Sequence, residues 1–324
     1  MQNVQPVIKK ADFYFMYVYI MFQYKSCSRY LISKHNLAKI FTKSETKSYL
    51  KMDILPDNFR TLSFCGVWFE FADKDNFFKK IYRFFVAFII IYFTFTGVLG
   101  MILIESEIAE LIDIMFLDLT FAALCVKILN LLFYRKKIVK ILNQFRNEIF
   151  RSKNQEEEKI LKNYLSKASK VWKYYLTLSL STGIIMCTSP VLTVTFENAE
   201  LPLKTYQFYD DSTKFGFYFT FLIHFFSTVY GICINISFDT MITGFFILLT
   251  GQLDLLSFRL LNCMKKEEGS ITFKECVIHH RLIKNTVKQV ENCFISVIAT
   301  QFSGSLITLC TSIYRITQVY YKIK

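Results

Sequence analysis

The sequence predicts an all-α fold: a polytopic transmembrane helical bundle with long helices projecting into the cytoplasm. Three observations predict it. The 324 residues are 53% hydrophobic and 20% charged, against about 45–50% and roughly 25% in soluble domains. The apolar residues gather in long uncharged blocks rather than in a single helical stripe. The connections between those blocks alternate in charge.

A helix needs about 20 apolar residues to cross roughly 30 Å of hydrocarbon. Residues 84–104 supply 21 without a charge, 174–196 supply 23, 215–238 are interrupted only by His224, and 293–314 are again uncharged. A further block, 114–133, contains Asp118 and Lys127. One such block is compatible with a buried core helix; four or five in one chain are not. The predicted spans are 81–104, 111–134, 174–196, 213–255 and 285–318.

The first block holds fourteen Phe, Ile, Leu or Val residues. Each is worth roughly −0.3 to −0.6 kcal/mol near the bilayer centre, so insertion is favourable by several kcal/mol. The second has twelve such residues against two charges costing about +2.5 to +3.5 kcal/mol each at the centre. That balance is close to zero. Asp118 lies towards one end and Lys127 towards the other, and both are expected to snorkel to an interface.

Basic residues accumulate in cytoplasmic connections. Residues 135–173 carry twelve Lys or Arg against four Glu, and 251–292 are basic again. Residues 105–110 have three Glu and no base, and 197–214 have four acids and two Lys. This alternation places the amino terminus inside and, after five crossings, the carboxyl end outside. A G-protein-coupled receptor, with its amino terminus outside, does not fit. The net charge of +13 is accounted for by a basic cytoplasmic face against anionic lipid, with no nucleic acid partner. Cys125, Cys187, Cys233 and Cys310 fall within apolar blocks and the outside connections hold none, so free thiols are expected.

Residues 1–51 read as an extension, and 52–80 as a segment with an interfacial helix carrying Trp68, Phe69 and Phe77. Ile138, Ile141, Leu142 and Phe145 keep a helical period past the second span. A further helix starts near Glu156, where acids suit an amino terminus. Residues 215–253 make a helix of about 58 Å, longer than a crossing needs, so the fourth span continues into the cytoplasm.

The ordered run Gln252-Leu253-Asp254-Leu255-Leu256, Arg259-Leu260, Cys276, His279-His280, Ile283, Glu291, Phe294, Gln301-Phe302, Ser305 and Cys310 resembles the insect odorant receptor family. Leu62, Cys65, Gly66 and Trp68 are a second, weaker match. The resemblance covers 52–324. It implies a seven-helix, amino-terminus-inside, ligand-gated channel in the plasma membrane of a sensory dendrite. It also implies a small volatile odorant as ligand and an olfactory co-receptor subunit in a hetero-tetramer assembled through the cytoplasmic helices. The family continues through a sixth and a seventh span, so the sequence is expected to be truncated after the fifth, without odorant-evoked current of its own.

Depth in the bundle, with the resemblance, makes Asp118, Met186, Pro190, Phe217, Phe221 and His224 the candidate ligand-binding residues. An apolar aromatic pocket suits small volatiles, and Pro190 would kink its helix. For Asp118, pocket polarity and a structural bond to a neighbouring helix stay open. The family-motif residues are Gln252, Leu253, Leu256, His279, His280, Gln301 and Phe302.

His279, His280 and Cys276 fall short of a zinc site, which needs three or four converging ligands; neighbouring His side chains on a helix diverge by about 100°. No metal or cofactor is expected. With no phosphate loop, paired catalytic carboxylates or nucleophile elbow in the sequence, the reading is a receptor and not an enzyme. The alternatives are a gustatory receptor of the same fold, a nonfunctional truncated product, or a membrane enzyme using His279 and His280.

Overall fold

In lipid each backbone amide must be satisfied inside its own segment, and blocks this apolar therefore fold as helices. The computed structural model describes residues 54–69, 77–103, 108–193, 205–209, 213–265 and 272–323. Within them, α1 is Pro56–Phe64, α2 Phe77–Leu103, α3 Ile108–Phe145, α4 Gln155–Thr193, α5 Lys214–Met264 and α6 Phe273–Ile323. A 3-10 turn, Glu148–Phe150, joins α3 to α4. Residues Thr46–Thr308 group as one unit, and α6 from Leu309 onward falls in another. The expected extension 1–51 lies outside the described residues.

The helix starts carry the signals that set them. At α4 the Asn154 side chain accepts from the Glu157 amide at 2.8 Å, while the Glu157 carboxylate reaches back to the Lys153 amide at 2.6 Å. Two otherwise unpaired donors are satisfied reciprocally. At α5 the Thr213 hydroxyl accepts from the Gly216 amide at 3.1 Å. α1 starts differently. Its cap, Leu55, has φ of 51° and makes no side-chain cap bond, a left-handed geometry costing roughly 1–2 kcal/mol for a non-glycine residue. Packing holds it there. Leu55 is buried against Gly244 of α5, where an added Cβ would come within 2.5 Å of Leu55 Cδ2.

Among the described residues, four helices are long and apolar enough to cross a membrane: α2, α3 from Ile114, α5, and α6 to Gln318. α4 carries the third predicted block; its side chains beyond Thr188 lie outside the described residues. α2 buries Val86, Ile89, Ile90, Phe93, Gly97 and Gly100 along one stripe. Its other faces expose Phe84, Phe85, Phe88, Ile91 and Phe95. A helix apolar on every side has its inner stripe in protein and the rest in lipid. α5 is the central post, packing against α1, α2, α3 and α4. α6 joins it through aromatic stacking, Phe294 lying 5.8 Å from Phe238 and 6.2 Å from Phe245. The whole periodic set Ile138, Ile141, Leu142 and Phe145 is buried, inside a helix that runs unbroken from the apolar block.

Two expectations change. The segment after residue 52 is packed into the bundle through α1, which docks on α5, with the buried Asn58 amide donating to Ser237 O at 3.0 Å and Thr240 Oγ1 at 2.7 Å. Trp68 is buried beside Phe59, ring centroids 4.8 Å apart. Nor does Asp118 snorkel, at 3% exposed, nor Lys127. It is 1% exposed, because an acid on α5 meets it inside the bundle.

Candidate functional site

The carboxyl end of α2, the amino ends of α3 and α5 and residues 205–209 share one end of the bundle, the turn end; the 3-10 turn, the carboxyl end of α5 and the amino end of α6 share the other, the polar end. At the turn end Phe93 of α2 sits between two partners. Its ring centroid is 4.4 Å from Phe121 of α3 and 5.3 Å, edge-on, from His224 of α5. Residues 205–209 fold over this aromatic layer. The Tyr206 amide donates to Thr96 O at 3.0 Å, Thr205 Oγ1 lies 3.0 Å from His224 Nε2, and the Gln207 side chain donates to that hydroxyl at 2.6 Å. Tyr209 OH is 2.7 Å from Thr220 Oγ1.

One layer nearer the end, Asp118 of α3 packs on Gly97 of α2. A Cβ at Gly97 would fall 1.9 Å from Asp118 Oδ1. Asp118 is 3% exposed, and neither carboxylate oxygen has a hydrogen-bond partner. His224 Nδ1 and Ser227 Oγ are likewise buried and unpartnered. Buried polar groups are almost always bonded, and these atoms of α3 and α5 are exceptions among the described residues.

Asp118 and His224, both expected in the pocket, are thus brought to one end of the α2–α3–α5 seam. Met186, Phe217 and Phe221 are half-buried. Phe217 meets Tyr218 at 5.9 Å and Phe221 meets Phe225 at 6.4 Å, ring partners on their own helix. The Pro190 side chain lies outside the described residues. Sequence reading missed Phe93, Gly97 and Thr205. Gly97 carried a signal, a residue without a side chain inside an otherwise bulky block; Thr205 carried none, because its role comes from the fold-back of an irregular segment.

Midway along the bundle a polar cluster is fully paired. Lys127 Nζ lies 2.7 Å from Asp239 Oδ1 and 2.9 Å from Oδ2, and it donates to Asn235 Oδ1 as well. Gln301 of α6 donates to the same carboxylate at 3.1 and 3.2 Å. Three helices are tied together by one ion pair.

Two of the family-motif residues, Gln252 and His279, meet Arg259 at the polar end. Arg259 Nε and Nη2 donate to Glu157 Oε1 and Oε2 at 3.0 and 2.8 Å. Arg259 also donates to the carbonyls of Ile149 at 2.6 Å and Arg151 at 2.7 Å, wrapping the 3-10 turn. His279 Nδ1 accepts from Arg259 at 3.3 Å, leaving Nε2 to donate to Gln252 Oε1 at 3.0 Å. The Gln252 amide in turn donates to Phe150 O at 3.2 Å. A ring that accepts at Nδ1 is neutral. Burial first, then the Arg259 charge and that of His280, push the His279 imidazole down to about 3. His280 points outward and is exposed, so the adjacent histidines do not converge. Leu256 is buried, Leu253 and Phe302 are exposed, and Gln301 is bound to Asp239.

Residues 107–321 match the sequence profile of a family described as the 7tm Odorant receptor. The chain belongs to that family. It is a multi-pass membrane protein, and the family is not one of enzymes. The fold is similar to that of the insect olfactory receptor OR5 from Machilis hrabei, with a TM-score of 0.68 at 19% identity, covering 78% of this chain and 68% of that one. A structure of the same OR5 in complex with eugenol gives a TM-score of 0.68 at 19% identity, over 79% and 68% of the two chains. No curated protein matches the receptor's sequence significantly.

Proposed function

We propose that the receptor binds a small volatile ligand at the turn end, between α2, α3 and α5 under residues 205–209, and opens a cation pathway together with an olfactory co-receptor subunit. The observation that carries the reading is the set of buried polar atoms, both Asp118 oxygens, His224 Nδ1 and Ser227 Oγ, that have no hydrogen-bond partner among the described residues. They lie beside the Phe93–Phe121 aromatic pair, which offers the apolar surface a volatile needs. The eugenol complex of the similar OR5 supports a small-ligand role for this fold. The charge alternation of the connections supports an extracellular turn end and a cytoplasmic polar end, with the amino terminus inside the plasma membrane. Dendritic placement in a sensory neuron follows from the family role. The arrangement at His279 supports a structural part for that residue, in place of the metal chemistry a membrane enzyme would need.

In full-length form and expressed with the co-receptor, the receptor should answer some members of a volatile panel with inward current. His224→Ala or Thr205→Val should raise the half-maximal concentration about tenfold, the size of one lost buried hydrogen bond. Concentration–response curves unchanged in both variants would overturn the site. A receptor that binds none of a broad panel would overturn the function.

A further inference from the structure

We infer that the turn-end site is built for a protonated amine, and that Asp118 is the group that holds it. The inference rests on the volatile-binding reading above and adds the chemical class of the ligand.

Asp118 is 3% exposed and lies within an apolar span, yet neither of its oxygens has a partner. A carboxylate in such a place is expensive unless a donor or a cation meets it. The same helix shows that the chain pairs a buried charge when the pairing is structural. Lys127, nine residues along α3, is enclosed by Asp239 and Asn235, and Asp239 is braced by Gln301. Asp118 receives no such company. Gly97 faces it, leaving the space that any Cβ would take from the carboxylate. The neighbouring buried groups, His224 and Ser227, bring no charge of opposite sign.

A cation beside Asp118 would hold it ionised, and its two unpaired acceptor oxygens, then carrying one negative charge, set the complementary ligand. An ammonium offers three N–H donors and a full positive charge, so it satisfies both oxygens and neutralises the site. An alcohol serves one oxygen and leaves the charge. A carboxylic acid adds a second negative charge, and a ketone or ester offers no donor at all. The Phe93–Phe121 pair one layer away suits the hydrocarbon body of the same molecule, and aromatic faces tolerate a nearby cation. The ligand class is therefore a small amine with a short apolar tail.

The test is direct binding of hexylamine, 1-hexanol and hexanoic acid to the purified receptor in nanodiscs at neutral pH, where an alkylamine is protonated. Hexylamine should bind about tenfold or more tightly than 1-hexanol, as a charge-assisted pair does relative to a neutral one, and hexanoic acid should be weakest. Asp118→Asn, which keeps the shape and removes the charge, should bring the amine-to-alcohol ratio close to one. Gly97→Ala, which drives a methyl into the carboxylate, should lower the ratio as well and stands in if Asp118→Asn fails to fold. Equal binding of amine and alcohol by the unaltered receptor would overturn the inference while leaving the volatile site in place. An amine preference that survives both substitutions would move it away from Asp118. Failure of all three probes and of every volatile would overturn the site itself.

Discussion

Removing Arg259 should loosen the polar end far more than removing an ordinary surface arginine. In Arg259→Met the buried Glu157 carboxylate loses both of its guanidinium donors, formerly at 3.0 and 2.8 Å. The carbonyls of Ile149 and Arg151 lose theirs as well. Both side chains of the pair are 3% exposed, so water does not replace what is lost. Breaking a buried pair by removing one partner costs about 3–5 kcal/mol. At about 1.4 kcal/mol per factor of ten, that corresponds to opening of the segment it holds being favoured by roughly 10²- to 4 × 10³-fold. Hydrogen exchange of the amides of Phe150 and Arg151, bonded to Asn147 O at 3.0 Å and Glu148 O at 3.1 Å, reads that opening directly. The double variant Arg259→Met, Glu157→Leu deletes the orphaned charge together with its partner, and should recover most of the protection. Exchange in Arg259→Met within about threefold of the unaltered receptor would refute the reasoning, being far below the cost of an uncompensated buried charge. So would a double variant that opens as fast as the single one.

Two further outcomes follow from the same geometry. The His279 imidazole lies at about 3 in the folded receptor against its ordinary 6.5. The unfolded chain therefore takes up a proton that the folded one refuses, and stability is full above pH 6.5 and falls as the pH drops from 6.5 towards 3. A melt of the solubilised receptor from pH 7.5 down to 4.5 should show this acid limb, and His279→Gln, which does not titrate, should flatten it. At mid-span, Lys127→Met should cost about 3 kcal/mol or more by leaving Asp239 without its cation, and Lys127→Met with Asp239→Leu should recover it; thermal unfolding of the three variants in matched nanodiscs checks both.

Much of the fold was legible because lipid makes the code simple. An uncharged block of 21 residues at 84–104 has few alternatives to a membrane helix, and the period at Ile138, Ile141, Leu142 and Phe145 correctly carried α3 beyond it. The acidic cluster at Glu156, Glu157 and Glu158 marked the start of α4 within a residue. What was not legible depended on which helix stands beside which. Periodicity says that α1 has a buried face but not that Asn58 will bond α5 across a sequence separation of 179 and 182 residues. Propensity would not place a left-handed Leu55 at a helix start; only the groove at Gly244 explains it.

The two charges of the second span make the same point at the site. From composition they are equivalent: one acid, one base, near opposite ends of one weakly apolar block, each able to reach an interface. The fold treats them differently. Lys127 turns inward onto Asp239, Asn235 and, through Asp239, Gln301. That charge is spent on joining α3, α5 and α6, and the structure accounts for it completely. Asp118 also turns inward, but to Gly97 and the edge of an aromatic layer, where no hydrogen-bond partner answers it among the described residues. Burial of a charge by itself says little about function, since either residue would be flagged by depth. The difference between an answered and an unanswered charge is the ground on which Asp118, and not Lys127, is proposed as a binding group, and it is visible only once the neighbours are in place.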